Sequence, residues 1–338
     1  MSHRLGRVRQ VSNPPSATTI DPAELEAEFG RVRRELTGYC YRMLGSGVEA
    51  EDAVQDTMTK AWRAIGSFEG RSSLRSWLYR IATNVCMDMH RAPQRRARPM
   101  DMTDSSTVSE AQLRVQPDQC FVQPIADERV LDVHGDPATV ATARESLRLA
   151  FVAALQHLPP RQRSVLILRS VLQWSAAETA ALLDTSTASV NSALQRARAT
   201  LEGIDIERLD PVASPAHDEL IARYVDAFER YDMDALVRLL RDDAIISMPP
   251  HDLWLQGAEQ VVGWMIGPGI GCRNSKLLAV QANGTAAFGS YKPAGDGRWE
   301  PWALQVIEVS GGAISGHHNF LFPALFAEFG LPASITEP

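Results

Sequence analysis

The chain has 338 residues, is 45% hydrophobic and 22% charged, and carries a net charge of −7. That length holds two or three domains with cores of their own. No apolar run approaches a membrane span, so a membrane is not an expected partner, and the N-terminus lacks the continuous apolar stretch of a secretory leader. Cys40, Cys86, Cys120 and Cys272 lie far apart with no paired spacing, which argues against a metal site or a disulfide framework and fits a reducing cytoplasm. No cofactor is expected.

Charge is distributed unevenly. From Arg71 to Arg98 there are seven arginines and one acid, Asp88; from Asp101 to Glu145 there are nine acids and three arginines. A basic element followed by an acidic one says more about partners than the net sum does.

In chain order, Met1 to Asp21 is polar, contains Pro14-Pro15 and reads as a disordered tail. Pro22 is a plausible first helical position, and Glu24 to Leu44 forms a helix with Leu25, Phe29, Val32, Leu36 and Tyr39 inward. Gly45-Ser46-Gly47 breaks it. The next helix has an apolar stripe of Val54, Met58, Ala61, Trp62 and Ile65, with Glu51, Asp52, Gln55, Asp56 and Lys60 outside it. That polar face is either simply solvated or a docking surface for a basic helical partner.

Gly70-Arg71-Ser72-Ser73 opens a strongly periodic helix over Leu74 to Arg91, with Leu74, Trp77, Leu78, Ile81, Val85 and Met89 facing a core. Arg75, Tyr79, Arg80, Asn84, Met87 and Arg91 occupy the other face. Cations hold a phosphate backbone, and a ring and an amide beside them can stack on and hydrogen-bond an unpaired base. An amphipathic helix with a solvated basic face has the same periodicity.

Arg91, Arg95, Arg96 and Arg98 then cluster around Pro93 and Pro99, and periodicity fades from Met100 to Pro137. This stretch is too long for a connection inside one domain and reads as an acidic inter-domain linker. Helical signal returns at Ala143. Leu147, Ala150, Phe151, Ala154, Leu155 and Leu158 form one helix, and a second runs from about Arg161 to Val171. Ser175 to Glu178 has capping-box spacing, and Ser186 or Thr187 caps a longer helix with Val190, Leu194, Ala197 and Leu201 inward. Two helices joined by a tight turn, the second basic, form a helix-turn-helix pattern. Ser189, Asn191, Ser192, Gln195, Arg196 and Arg198 are its exposed face. Asn and Gln suit adenine edges, and Arg suits guanine or phosphate. A small helical bundle with a polar face fits this stretch as well.

After a second linker, Gly203 to Pro215, the composition changes. Helices at His217–Arg230, Asp234–Leu240 and Ala258–Ile266 mix with strands at Ala244–Met248, Lys276–Ala282, Thr285–Tyr291, Trp302–Val309 and Ala313–Phe322. Asn283-Gly284, Gly295-Asp296-Gly297 and Gly311-Gly312 are hairpin signals. Helices followed by an antiparallel meander make a separate α+β domain.

Two blocks carry a resemblance. AEDAVQDTMTKAWR with FEGRSSLRSWLYRIATNVCMD resembles region two of the extracytoplasmic-function (ECF, group 4) sigma factors of the sigma-70 family, and LPPRQRSVLILRSVLQWSAAETAALLDTSTASVNSALQRARATL resembles their region four. Residues from about His217 to Pro332 resemble the SnoaL-like, ketosteroid-isomerase-like fold. Among sigma factors that carry such a domain, the chain looks most like the mycobacterial SigG-type subgroup. The implied architecture is two all-α sigma domains, a region-two helical bundle and a region-four helix-turn-helix, plus an α+β cone. The divisions are a tail at 1–21, region two at 22–98, the linker at 99–142, region four at 143–202, a linker at 203–215, the SnoaL-like domain at 216–332 and a tail at 333–338.

The resemblance implies two partners, core RNA polymerase and promoter DNA. Glu51, Asp52, Gln55 and Asp56 would dock on the clamp helices of the largest polymerase subunit, and region four on the flap of the second-largest. The Phe68–Ser76 loop, with Arg71 and Ser72, and Asn84 would hold a base flipped from the minus-ten element. Arg75, Tyr79, Arg80 and Asp88 would flank that strand. Ser189, Asn191, Ser192 and Gln195 would face minus-thirty-five base edges, with Arg196 and Arg198 on phosphates. Many relatives have a basic residue where Asn191 stands, so the base preference does not carry over. The acidic linker would thread toward the polymerase active-site and RNA-exit channels.

Asp252, Tyr291, His317 and His318 are the candidates for acid–base chemistry in the third domain. Adjacent histidines on a strand point to opposite faces, and no acid–base pair is visible, so no enzyme is expected. Trp254, Trp264, Trp299 and Phe320 are expected to line a pocket or fill a core. The apolar segment LFPALFAEFGLPASI is a candidate for packing on the sigma domains, and a small ligand or an anti-sigma protein is a possible further partner. The expected function is an alternative sigma factor with a regulatory C-terminal domain. The alternative is a stand-alone helix-turn-helix regulator with a ligand-binding or enzymatic C-terminal domain.

Overall fold

The computed structural model describes residues 21–89, 96–132, 136–204, 209–212 and 214–336. The expected tail before Asp21, as well as Arg91 and Arg95, lies outside these residues.

Asp21 accepts the Ala23 N–H at 2.9 Å and Pro22 opens α1 (Pro22–Leu44). Gly45 closes it from the left-handed region, where a side chain would be strained. Ser46 caps α2 (Gly47–Ala64), and α3 (Leu74–Met89) completes the first bundle. Leu25, Phe29, Val32, Leu36 and Tyr39 are buried as the spacing predicts, but Trp62 is not: it stands 40% exposed. The fully buried residues of α3 are Leu78, Tyr79, Ala82, Thr83, Val85 and Cys86, a face turned from the expected stripe, whose Leu74, Trp77, Ile81 and Met89 are half-buried against the same core.

The helix expected over Leu147 to Leu158 is the shorter α5 (Leu149–Leu155), and a separate helix, α4 (Pro137–Glu145), begins within the expected linker, with extended backbone at Arg148 between the two. A tertiary contact marks the break: Arg42 of α1 donates to the Ser146 carbonyl at 3.2 Å and to its hydroxyl at 2.7 Å. α6 (Pro160–Leu166) runs on as a π turn to Val171. Ser175 and Glu178 form the expected capping box at the start of α7 (Ala176–Leu182), with reciprocal bonds of 2.8 and 3.1 Å. Asp184 takes a positive φ in the turn, and Ser186 caps α8 (Thr187–Leu201).

The third domain begins with α9 (Pro215–Glu229) and α10 (Met233–Val237), then β1 (Leu240–Ser247), a short β2 (Trp254–Gln256) and α11 (Ala258–Ile266). β3 (Lys276–Ala282), β4 (Thr285–Gly295), β5 (Arg298–Ser310) and β6 (Ala313–Phe320) form the antiparallel meander. α12 (Leu325–Glu328) and β7 (Ile335–Thr336) follow. The sheet order is β2-β1-β6-β5-β4-β3, with β1 parallel to β6 and β7 against the start of β5. Helices cover one face of this strongly bent sheet, which gives the α+β cone.

Both faces of the sheet are buried. The concave side packs Phe288, Ile307 and Ile314 on Tyr224, Phe228 and Leu236. The convex side contributes Ala287, Leu304, Val306 and Phe320 to the same apolar cluster as the helical domains, joined by Phe322, Leu325 and Phe329 of the C-terminal segment. Phe326 of that segment meets Tyr291 edge-on at 5.0 Å, and Glu328 pairs with Arg129 of the linker.

The acidic linker is not free. Phe121, Val122, Ile125 and Leu131 are buried, and Ala126 makes an isolated antiparallel bridge to Ala282 at the end of β3. Upstream, Ser106 pairs with Leu255 and Val115 with His251. Sparse apolar residues suffice here because they join the core cluster that the helical domains and the sheet already form.

Candidate nucleic-acid interface

The Phe68–Ser73 loop is held by Phe68, whose ring meets Trp77 edge-on at 5.2 Å, and by Ser73, whose hydroxyl accepts the Ser76 N–H at 3.1 Å. This loop and the exposed side of α3 form one wall of a cleft of ≈ 910 Å³. Arg71, Ser72, Arg80, Asn84 and Met87 line that wall; Arg161 and the α7 end, Ala181 to Asp184, line the other. Arg80 reaches across and donates to the Ala181 carbonyl at 2.9 Å.

Two residues expected on this stripe are elsewhere. Tyr79 is fully buried, edge-on to Tyr39 at 5.3 Å and tilted against Trp174 at 5.0 Å, and burial pushes its pKa well above the ordinary phenol range. Arg75 lies over the Trp174 ring at 5.0 Å and is ion-paired with Glu35. The cause is a second neighbour: α3 packs on α1 and α2 along one side and on Trp174 and α7 along another. Asp88 is exposed and sits 3.8 Å from Lys60.

All six residues expected to read duplex DNA, Ser189, Asn191, Ser192, Gln195, Arg196 and Arg198, are exposed on α8, while Val190, Ala193, Leu194 and Ala197 turn inward. On α2, Asp52, Gln55 and Asp56 are exposed. Glu51 is not available in the same way: it pairs with Arg33 and, at 3.0 Å, with Arg129 of the linker. Trp62 shares the helical face of Asp52, Gln55 and Asp56. Its exposure could not be read from a stripe that counts every tryptophan as core.

The helical domains are locked together by buried cations. Arg163 of α6 is 1% exposed and donates to the Met43 carbonyl at the end of α1 and to Gln156 Oε1 at 2.6 Å. A cation at a helix C-terminus is favoured by the helix dipole. The third domain adds its own lock. The β3–β4 turn, Asn283-Gly284, enters the junction of α1, the linker and the α4–α5 break. Asn283 accepts the Ile125 N–H at 3.0 Å and donates to the Tyr41 hydroxyl and the Leu147 carbonyl, both at 2.6 Å. Gly284 donates to Asp127 at 2.8 Å, and a Cβ there would strike Arg144 at 2.9 Å.

The third-domain candidates do not converge on one site. Asp252 accepts from Gln116 of the linker at 2.9 Å. Tyr291 donates to the Pro332 carbonyl at 2.8 Å, and burial pushes its pKa up to about 12. His317 lies inside the cone 3.1 Å from the Tyr224 hydroxyl, and burial takes its pKa down to about 3. His318 faces the convex side, between Ser247 at 2.9 Å and Glu308 at 3.2 Å. Burial opposes ionisation of Glu308, but His318, Arg98 and Arg148 outweigh it and hold the carboxyl below its usual range. Of the four expected pocket residues only Trp264 lines the internal cavity. Trp254 donates to the Thr103 carbonyl at 2.8 Å, Trp299 to the Asn274 carbonyl at 2.9 Å, and Phe320 belongs to the convex face.

Known proteins match the chain along nearly its whole length. The family model for sigma-70 region 2 matches residues 29–96, and that for sigma-70 region 4 matches residues 148–201. The chain is 44% identical to the ECF RNA polymerase sigma factor SigG of Mycobacterium tuberculosis, over 99% of this chain and 92% of that protein. It is 26% identical to SigJ of the same organism, over 92% of this chain and 96% of that protein. The crystal structure of M. tuberculosis SigJ superposes with a TM-score of 0.59 at 23% identity, covering 91% of this chain and all of that one, so the shared fold runs through the third domain. With both sigma-70 regions in order and full-length identity well above the level that fixes a family, this chain belongs to the extracytoplasmic-function RNA polymerase sigma factors.

Proposed function

We propose that the protein is an alternative sigma factor of the cytoplasm that binds core RNA polymerase, directs it to minus-thirty-five and minus-ten promoter elements and helps open the duplex. In this reading Asp52, Gln55 and Asp56, with Trp62 beside them, meet the polymerase. Arg71, Ser72, Arg80 and Asn84 grip the opened strand. Flipping a base out of the stack costs a few kcal/mol, which phosphate contacts and a pocket must offset. Ser189, Asn191, Ser192, Gln195, Arg196 and Arg198 of α8 read upstream duplex. Residues 22–98, 143–202 and 216–332 act as the three working units.

The observation that carries this reading is the shared cleft. The strand-gripping wall of α3 faces α7 of the helix-turn-helix, and Arg80 is bonded to Ala181. Two DNA-reading modules held face to face cannot both engage separated promoter elements, so the compact arrangement is the state off DNA. The third domain acts as a regulatory clamp rather than an enzyme, because its titratable groups are dispersed over both faces of the sheet and its turn at Asn283 joins the modules. Glu51 and Arg75 become available only when the linker and Trp174 move away. Binding measurements test this. Tight association with core polymerase and weak association with free promoter duplex are expected; salt-sensitive duplex binding without polymerase would favour a stand-alone regulator instead.

A further inference from the structure

A cavity of ≈ 240 Å³ lies on the concave side of the sheet. Drug-sized sites span roughly 300–1,000 Å³, so this one suits a smaller molecule, of one or two rings. Its walls are mostly apolar, with Phe228, Met248, Trp264 and Leu321 among them. Its polar side chains include Lys292, Gln305 and Asn319, of which Lys292 only donates. Gln305 and Asn319 are 2% and 8% exposed and face inward from paired positions on β5 and β6. The Tyr224 hydroxyl donates to Gln305 Oε1 at 2.7 Å, which fixes the amide and leaves its N–H groups with no acceptor among the described residues. Lys292 lies over the Trp302 ring at 3.2 Å and has no carboxylate at ion-pair distance among the described residues. Burial lowers its pKa, which an anion beside it would reverse.

The linker covers the mouth of this cavity. Leu113 lines it although it is 54% exposed. Around Leu113 the linker is tied to the rim: Gln116 donates to the Pro250 carbonyl at 2.8 Å, Asp252 donates to the Arg114 carbonyl at 3.2 Å, and Val108 donates to Gln260 Oε1 at 2.9 Å.

We propose that the cavity binds a small, largely apolar organic acid, its carboxylate at Lys292 and an acceptor oxygen at Gln305, with linker residues 103–116 as the lid. The acid neutralises the half-buried Lys292 and supplies an acceptor for the Gln305 amide. An apolar body displaces water from walls that cannot hydrogen-bond it. Because the same linker continues into the junction at Ile125 and Asp127, the ligand stabilises the clamp from within. That last step rests on the regulatory reading above; the binding site does not.

The test uses the free full-length chain and 6-hydroxy-2-naphthoate, with its neutral carboxamide as the control. Calorimetry should give saturable binding of the acid with Kd below about 1 mM and at least ~10-fold weaker binding of the amide. Lys292→Met should erase the preference for the acid while leaving the amide's affinity, and circular dichroism checks that the variant is folded. Tryptic cleavage after Arg114 should slow by about fivefold or more in the presence of the acid, as expected when a ligand stabilises a closed segment. Absence of saturable binding by the wild type, or equal affinity for acid and amide, overturns the site. Binding without protection at Arg114 overturns the lid. Persistent binding with unchanged transcription by the polymerase complex would sink the regulatory reading and leave the site standing.

Discussion

The side-chain amide of Asn283, at the tip of the β3–β4 turn, donates to the Tyr41 hydroxyl in α1 at 2.6 Å, and both residues are fully buried. The same amide serves the Leu147 carbonyl, and its oxygen serves the Ile125 N–H. One side chain thus joins the first bundle, the linker and the approach to the helix-turn-helix. Asn283→Ala leaves buried backbone groups unpaired, a loss of about 1–3 kcal/mol each at most. The expected result is a lower Tm together with faster tryptic cleavage within residues 100–132. An unchanged cleavage pattern would show that the turn is not what holds the linker.

The neighbouring contact responds to pH. Burial pushes the Asp127 carboxyl up to about 6, against the opposing pull of the Gly284 N–H and Arg144. An acid whose folded pKa is raised contributes fully only below its unfolded value of ~4 and loses that contribution as pH rises through the folded value. Near neutral pH the ionised group therefore weakens the fold, by up to ~3 kcal/mol. Asn keeps an acceptor for Gly284 without the charge. Asp127→Asn should stabilise the protein at pH 7.5 by about 1–3 kcal/mol, and the difference from wild type should vanish near pH 4. Denaturant unfolding at both pH values checks this; a gain of equal size at pH 4 would contradict it.

At the cleft, Asn84 is exposed and its neighbour Arg80 is bonded across to Ala181. Asn84→Ala should lower open-complex formation at least ~10-fold, the scale of a lost bidentate base contact, with core binding intact. Permanganate reactivity of unpaired thymines reports the first and co-purification the second. Equal loss of both would remove Asn84 from a base-holding role.

Trp62 stands on the α2 face of Asp52, Gln55 and Asp56, and an exposed aromatic among charges is the usual form of an interface anchor. Trp62→Ala should weaken association with core polymerase ~10-fold or more and leave Tm nearly unchanged. A large fall in Tm with unaltered affinity would return Trp62 to a structural role.

Much of this architecture is legible in the chain itself. Capping chemistry at Pro22, Ser175 and Ser186 marks helix starts, and β3 falls on the residues that its alternation and the Asn283-Gly284 turn indicate. The exposed face of α8 follows directly from its period. What periodicity cannot report is a second partner. It assigns one buried face to α3, whereas Tyr79 and Arg75 meet Trp174 on another. It places a polar turn at the surface, where turns usually lie, yet Asn283 is buried between domains. The linker residues Phe121 and Ile125 look isolated because their contacts are contributed by distant parts of the chain.

The central claim is that this chain gives core RNA polymerase its choice of start site. Run-off transcription with purified core polymerase, on templates chosen by mapping transcripts after overexpression, tests it most directly. The account predicts discrete transcripts that depend on the chain and fall by at least ~10-fold with Asn84→Ala. Failure to bind the polymerase, or binding that leaves initiation without start-site preference, would contradict it.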